Sequence, residues 1–290
     1  MSVNFETFYH EAPLALTQEL KEYRATHHPR HTIWNNVPWT YTVSGTGEQP
    51  VLWLVGALRM GDAAFRSIPL LEDGFKLIVP DYPPVMSMAE LADGLAAILT
   101  AENIGAADVL AGSMGGMVAQ VFAHRHPDRV RKLILSTTTP PDPFQAARYQ
   151  DQYAMVDELD ESVVREGAKL QMLTMLQPSP VEIPFWQAYL DELFSVRLGK
   201  ADLLSSYACV IDYMSNYQFT PADFAGWVNR IFIIDSDNDA TFGPEVQNLL
   251  KALYPSAVGH TFQGAGHSPG STHRDVYFAM VRNFLNGVTG

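Results

Sequence analysis

Three residue types placed far apart in this 290-residue chain can together make an acyl-transferring centre. A serine hydroxyl is a weak nucleophile at neutral pH. It becomes effective when a histidine within hydrogen-bond reach takes its proton and a carboxylate fixes the tautomer of that histidine. Ser113 lies in Asp108-Val109-Leu110-Ala111-Gly112-Ser113-Met114-Gly115-Gly116-Met117, where a short apolar run stops and a helix-forming segment begins. The stretch reads as a buried strand, a very tight turn and a helix, with Ser113 at the apex. Ala111 and Gly115, two residues to either side, are expected to let the helix return close to the strand, and Gly112 to relieve crowding beside the turn. The N–H groups that open the helix then point toward whatever the serine attacks. For the base, His267 stands in Gly264-Ala265-Gly266-His267-Ser268. His260 falls in the preceding strand and His273 at the start of the last helix, so the glycine-flanked loop histidine is preferred. For the acid, Asp235, Asp237 and Asp239 all follow the strand Arg230 to Ile234, and Asp142 is a more distant candidate.

Several elements must position these loops. Val51 to Val55 is a continuous apolar run, hence a strand covered on both faces. Lys76 to Asp81 and Val130 to Ser136 are further strands, and Trp39 to Val43 alternates as a half-buried one. Helical patterns occupy Met86 to Ala101, Met117 to His124, Pro244 to about Leu253 and roughly His273 to Leu285. This alternation predicts an α/β protein with a mostly parallel sheet and helices on both faces, its candidate residues at the carboxyl ends of strands. The rhythm breaks at Thr137-Thr138-Thr139-Pro140-Pro141-Asp142-Pro143, and from there to about Phe219 the chain reads as helices. The expected organisation is a core of residues 1–139 and 221–290 with an inserted helical cap of 140–220. In the insertion Phe185, Trp186, Tyr189, Leu190, Leu193 and Phe194 form a wide apolar stripe. Its main expected role is packing on the sheet. Part of it, with Phe185, Trp186 and Tyr189, is expected to join Leu58 in walling a pocket above the serine. Residues 1 to about 31 show no strong strand pattern, only a short helix near Leu14 to Arg24. There His27-His28-Pro29-Arg30-His31 has no neighbouring carboxylate or thiol to complete a metal site, and reads as an exposed, mobile segment.

The turn at Ser113 resembles the nucleophile elbow of the α/β-hydrolase superfamily, with Ala111 where a glycine is most common. Phe122 to Val130, through His126-Pro127-Asp128-Arg129, resembles that family's helix-to-strand connection. Gly264 to Ser268 is close to its histidine motif, and the resemblance runs from Val51 to the final helix. It implies the α/β-hydrolase fold and the chain order serine, acid, histidine. It also places the acid shortly before the proline that opens the next helix, here Pro244, which favours Asp239. The implied oxyanion donors are the backbone N–H groups of Met114 and Ala57, with Leu58 the lesser alternative. Two departures stand out: Val55-Gly56 replaces a common His-Gly, and Tyr82-Pro83-Pro84-Val85 replaces a glycine-rich loop. The implied activity is hydrolysis of an ester or related acyl bond in a small to medium apolar substrate, with no metal or organic cofactor. Acyl transfer and carbon–carbon cleavage by the same triad are alternatives. Leu253 to Ala257 is more weakly similar to the maspardins, members of the family that bind rather than catalyse, so a non-catalytic binding protein is a further alternative.

The formal net charge of -13 argues against nucleic acid as a partner, since a phosphate backbone would be repelled, and against standing association with an anionic membrane. The single cysteine, Cys209, permits no internal disulfide and is compatible with a reducing compartment. The opening Met1 to Glu6 shows neither a basic start nor an apolar run. A cytoplasmic monomer or homodimer acting on a small molecule is the expectation.

Overall fold

The computed structural model describes residues 5–288; residues 1–4, part of the opening read for a leader, lie outside the described residues. Helices α1 (Phe5–Tyr9) and α2 (Leu14–Thr26) precede strands β1 (Pro29–Trp34), β2 (Val37–Ser44) and β3 (Gln49–Leu54). Then come α3 (Pro69–Glu72), β4 (Phe75–Pro80), α4 (Met88–Ala101), β5 (Ala107–Gly112), α5 (Met114–Arg125) and β6 (Val130–Ser136). Four helices follow without a strand: α6 (Pro143–Glu158), α7 (Glu161–Leu176), α8 (Ile183–Glu192) and α9 (Lys200–Asn216). The chain closes with β7 (Ile231–Ser236), α10 (Pro244–Leu253), β8 (Val258–Phe262), α11 (Pro269–Thr272) and α12 (Arg274–Leu285).

The eight strands form one sheet in the order β1-β2-β4-β3-β5-β6-β7-β8. β1 and β2 run antiparallel to their neighbours and all other pairings are parallel. The central strands carry the apolar runs because helices cover both faces there; every residue of β7 is buried, whereas β1 at the edge is mostly exposed. Sheet order puts β3, β5, β6 and β7 side by side, so the loops after them share one edge. The helical insertion lies between β6 and β7. No described helix is long and apolar enough to cross a membrane.

The N-terminal segment departs from its expectation of mobility. Residues 29–34 form β1, paired along its length with β2, and His27 Nε2 lies 2.6 Å from Glu72. A charged cluster binds this segment to the insertion. Asp62 meets Arg24 (2.8 Å) and Arg197 (2.7 Å) and accepts from the Tyr189 hydroxyl (2.7 Å). Burial would raise the Asp62 carboxyl, but the two guanidiniums hold it below the usual range.

Asp81 sits beside that cluster, accepting the Gly61 N–H at 2.7 Å, and burial pushes its carboxyl from the ordinary 3.8 up to about 6. An acid whose pKa rises on folding binds more protons folded than unfolded. Its contribution is therefore most favourable below pH 4, is lost as pH rises through 6, and is absent at pH 7. Asp81→Asn keeps an acceptor for Gly61 without the charge. It should raise stability at pH 7 by on the order of 2 kcal/mol, with the advantage gone at pH 4. Thermal melts of both proteins at the two pH values check this; an unchanged difference between them would refute it.

Candidate active site

Ser113 connects β5 to α5 and adopts φ +52°, the left-handed region, a strain of roughly 1–3 kcal/mol for a residue with a side chain. Its backbone is held on both sides. The Ser113 N–H donates to the Ser136 carbonyl (3.0 Å) and the Thr138 hydroxyl donates to the Ser113 carbonyl (2.8 Å). The reason for the glycine at 115 differs from the one expected. A methyl group there would fall inside contact distance of the Leu54 and Val55 carbonyl oxygens, so the close approach is to the end of β3 rather than to β5. Gly112, expected to relieve crowding, has only Ser136 O at an ordinary 3.7 Å from an added Cβ. Gly115→Ala must therefore push the loop after β3 away from the serine. A fall of about 100-fold in kcat is expected, as misplacement by about an ångström produces, with destabilisation of roughly 1–3 kcal/mol. Kinetics and a denaturant melt check both, and wild-type kcat would refute the assignment.

The three side chains read from the sequence come together. His267 Nε2 lies 3.0 Å from Ser113 Oγ, and His267 Nδ1 lies 3.0 Å from both carboxylate oxygens of Asp239. Asp239 Oδ1 also accepts the N–H groups of Thr241 (2.8 Å) and Phe242 (3.2 Å), and both Asp239 and His267 are buried. The Phe242 ring stands edge-on to the imidazole at 5.5 Å. A carboxylate on Nδ1 selects the tautomer whose Nε2 accepts the serine proton.

The rival acids have other partners. Asp235, inside β7, faces Lys251 at 2.6 Å, and Asp237 Oδ1 accepts the Gly264 N–H at 2.8 Å. Asp142 caps α6 by accepting from Phe144 N at 3.0 Å. Asn238, which sequence reasoning passed over, accepts the Gly266 N–H at 2.7 Å and so tethers the residue before His267. The signal for that tether in the sequence is the run Asp235-Ser236-Asp237-Asn238-Asp239, in which every side chain carries an acceptor oxygen.

A cavity of about 220 Å³ opens at Ser113 and His267. Ala57 and Leu58 line it, with Trp53, Leu54, Leu110 and Phe278 deeper in and Met172, Met175 and Leu176 of α7 above. Among the described residues, no lysine, arginine, aspartate or glutamate lines it. Among the described residues, neither the Met114 N–H, at the start of α5, nor the Ala57 N–H has a backbone acceptor outside the helices and strands.

The expected wall from α8 is a correction. Phe185 and Tyr189 do not line the cavity; both are fully buried, Phe185 against Phe65 and Tyr9, and Tyr189 through Asp62. Trp186 faces a second, more polar cavity of about 580 Å³ that shares Ala63, Ala64, Ser67, Leu176 and Ser271 with the first. The stripe is covered by the N-terminal helix and the segment after β3, neither of which was expected to pack on it. The insertion's share of the serine-cavity wall comes instead from the end of α7.

The two departures from the family pattern meet in one contact. The Tyr82 hydroxyl donates to the Val55 carbonyl (2.9 Å), and the buried Arg59 guanidinium donates to the carbonyls of Tyr82 (3.2 Å) and Pro83 (2.7 Å). Arg59, not singled out in the sequence, also reaches Asp202 O (2.9 Å), Ser206 Oγ (2.6 Å) and Ser205 Oγ (3.3 Å) on α9. Among the described residues no group of three or more His, Cys, Asp or Glu is placed to hold a metal ion.

Residues 49–273 match the profile of the alpha/beta hydrolase fold family, and the chain belongs to that family. Esterase YbfF of Escherichia coli (strain K12) is 24% identical over 205 residues, 70% of this chain and 76% of that protein. The 2-hydroxy-6-oxononadienedioate/2-hydroxy-6-oxononatrienedioate hydrolase 1 of Pseudomonas putida is 26% identical over 268 residues, 84% of this chain and 90% of its own length. A solved hydrolase from Pseudomonas aeruginosa PA01 shares the fold with a TM-score of 0.71 at 21% identity, over 90% of this chain and 99% of that one. Relatives that are an esterase and a hydrolase support a hydrolase.

Proposed function

We propose that the protein is a serine hydrolase that cleaves an ester or related acyl bond of a small to medium, largely apolar substrate. The observation that carries this is the continuous hydrogen-bonded line Ser113–His267–Asp239 at the mouth of the cavity. His267 takes the Ser113 proton as the hydroxyl attacks the carbonyl carbon, and Asp239 stabilises the imidazolium. The N–H groups of Met114 and Ala57 bind the oxyanion. His267 then returns the proton to the departing alcohol, and water, activated by the same imidazole, releases the acid. The acyl group occupies the apolar cavity, and the alcohol leaves toward the larger one with its Arg66, Glu182, His273 and Arg274.

The Pseudomonas putida relative, named for a dioate substrate, suggests carbon–carbon cleavage by the same residues. Cavity walls without a lysine or arginine fit an uncharged acyl group better than one bearing carboxylates. A purely binding protein would have no need of the three groups in line.

Labelling with a fluorophosphonate probe tests the reading, followed by a panel of p-nitrophenyl esters. Wild type should label and both Ser113→Ala and His267→Ala should not. Folded wild-type protein that neither labels nor turns over an ester would sink it.

A further inference from the structure

The run Thr137-Thr138-Thr139 after β6 is buried throughout, and two of its hydroxyls have evident work. Thr138 donates to the Ser113 carbonyl and Thr139 to the Pro140 carbonyl. Thr137 differs. It is only 7% exposed, yet its hydroxyl has no hydrogen-bond partner among the described residues, and it lines the cavity that contains Ser113. Its backbone takes φ +42°, a conformation that a β-branched residue adopts only where its surroundings force it. Those surroundings are explicit. The Thr137 N–H is tied to Ile234 O on β7 at 2.8 Å, while the residues on either side hold the two backbone polar groups of Ser113.

Contacts to Ser113 fix where the residue stands. Ser136 accepts the Ser113 N–H at 3.0 Å and the Thr138 hydroxyl donates to the Ser113 carbonyl at 2.8 Å, so Thr137, between them, stands beside the serine on the cavity wall. A substrate whose carbonyl carbon is being attacked by Ser113 runs the next atoms of its acyl chain along this wall. Deeper in, the phenol of Tyr277 also lines the cavity, its pKa pushed up to about 12 by burial with Ser136 pulling the other way. Thr137, a buried residue between the two that hold Ser113, thus brings an uncommitted hydroxyl to the wall of this cavity.

We propose that Thr137 is a specificity-determining residue that hydrogen-bonds an oxygen carried on the carbon next to the reacting carbonyl, so that the preferred acyl groups are 2-hydroxy or 2-oxo acyl groups with an apolar remainder. This rests on the hydrolase reading for its substrate class, but the contact itself is measurable without turnover.

In a Ser113→Ala background, dissociation constants for ethyl butyrate and ethyl 2-hydroxybutyrate are measured by NMR titration. The hydroxylated ester should bind about 3- to 10-fold more tightly, the scale of one neutral hydrogen bond. Adding Thr137→Val should bring that ratio to about 1, and adding Thr137→Ser should retain it. Thr137→Ala reads the same ratio if the valine protein does not fold. A ratio near 1 in the parent, or one that Thr137→Val leaves unchanged, overturns the proposal. A merely structural hydroxyl would alter stability and weaken both esters together, which also overturns it. If the ratio behaves as expected while wild type fails to label with the fluorophosphonate, the hydrolase reading falls and the Thr137 contact stands.

Discussion

Alanine at Ser113, at His267, or at both should slow ester turnover by one and the same factor, on the order of 10^6 in kcat, because groups that act as a unit are lost together. Without His267 the Ser113 proton has no acceptor, and without Ser113 there is no oxygen for the imidazole to activate. The residual rate would come from the cavity and the Met114 and Ala57 N–H groups, which neither substitution removes. Asp239→Asn should fall short of this, at roughly 10^4-fold, since an amide can still meet the Thr241 and Phe242 N–H groups but presents the wrong partner to His267 Nδ1. Folding should survive in all of them, because Ser113 is anchored through its backbone to Ser136 and Thr138 rather than through its hydroxyl. Steady-state kinetics with melting curves check the series. Losses at Ser113 and His267 that multiply in the double variant would mean that the two act independently.

The residues that make this site differ in how far the sequence betrays them. Ser113 and His267 are legible because each sits in a loop whose small neighbours have no other use. The acid is harder: Asp235, Asp237 and Asp239 are alike in type and lie within five residues. What separates them is direction, toward Lys251, the Gly264 N–H and His267 respectively, and direction depends on strand pairing rather than composition. The central strands are legible for the same reason that they are buried, while β1 is not, its exposed edge carrying no apolar run. The α8 stripe shows the limit of periodicity. Its spacing announces that Phe185 and Tyr189 are covered, but not by what, and the cover is Tyr9, Phe65 and Asp62 from distant parts of the chain. Gly115 was legible as a close approach and misassigned as to its partner, since the crowding group lies on β3, about sixty residues earlier.

Arg59 is the extreme case, and its removal should have the largest effect on stability. A single arginine in a loop reads as solvated surface, yet this one is 1% exposed and its five acceptors are all more than twenty residues away. Burial pulls the guanidinium pKa below its usual value, with Asp202 opposing, so the group remains in place through its hydrogen bonds rather than through a tight ion pair. It also holds φ +64°, directly after Leu58 and two residues from the Ala57 N–H. Arg59→Met fills much of the same volume but leaves the carbonyls of Tyr82, Pro83 and Asp202 without that donor. Destabilisation of about 3 kcal/mol is expected, together with a fall of about 100-fold in kcat as the Ala57 donor drifts. Because Asp202, Ser205 and Ser206 belong to α9, the same substitution should loosen the insertion, read as faster amide exchange along α9 than along α4. Arg59→Lys should recover only part of both losses, since one ammonium has three donors where the fork serves five acceptors on two sides. A methionine variant of wild-type stability but reduced kcat would confine Arg59 to shaping the oxyanion loop. One with normal kcat and lowered stability would confine it to joining the insertion to the sheet.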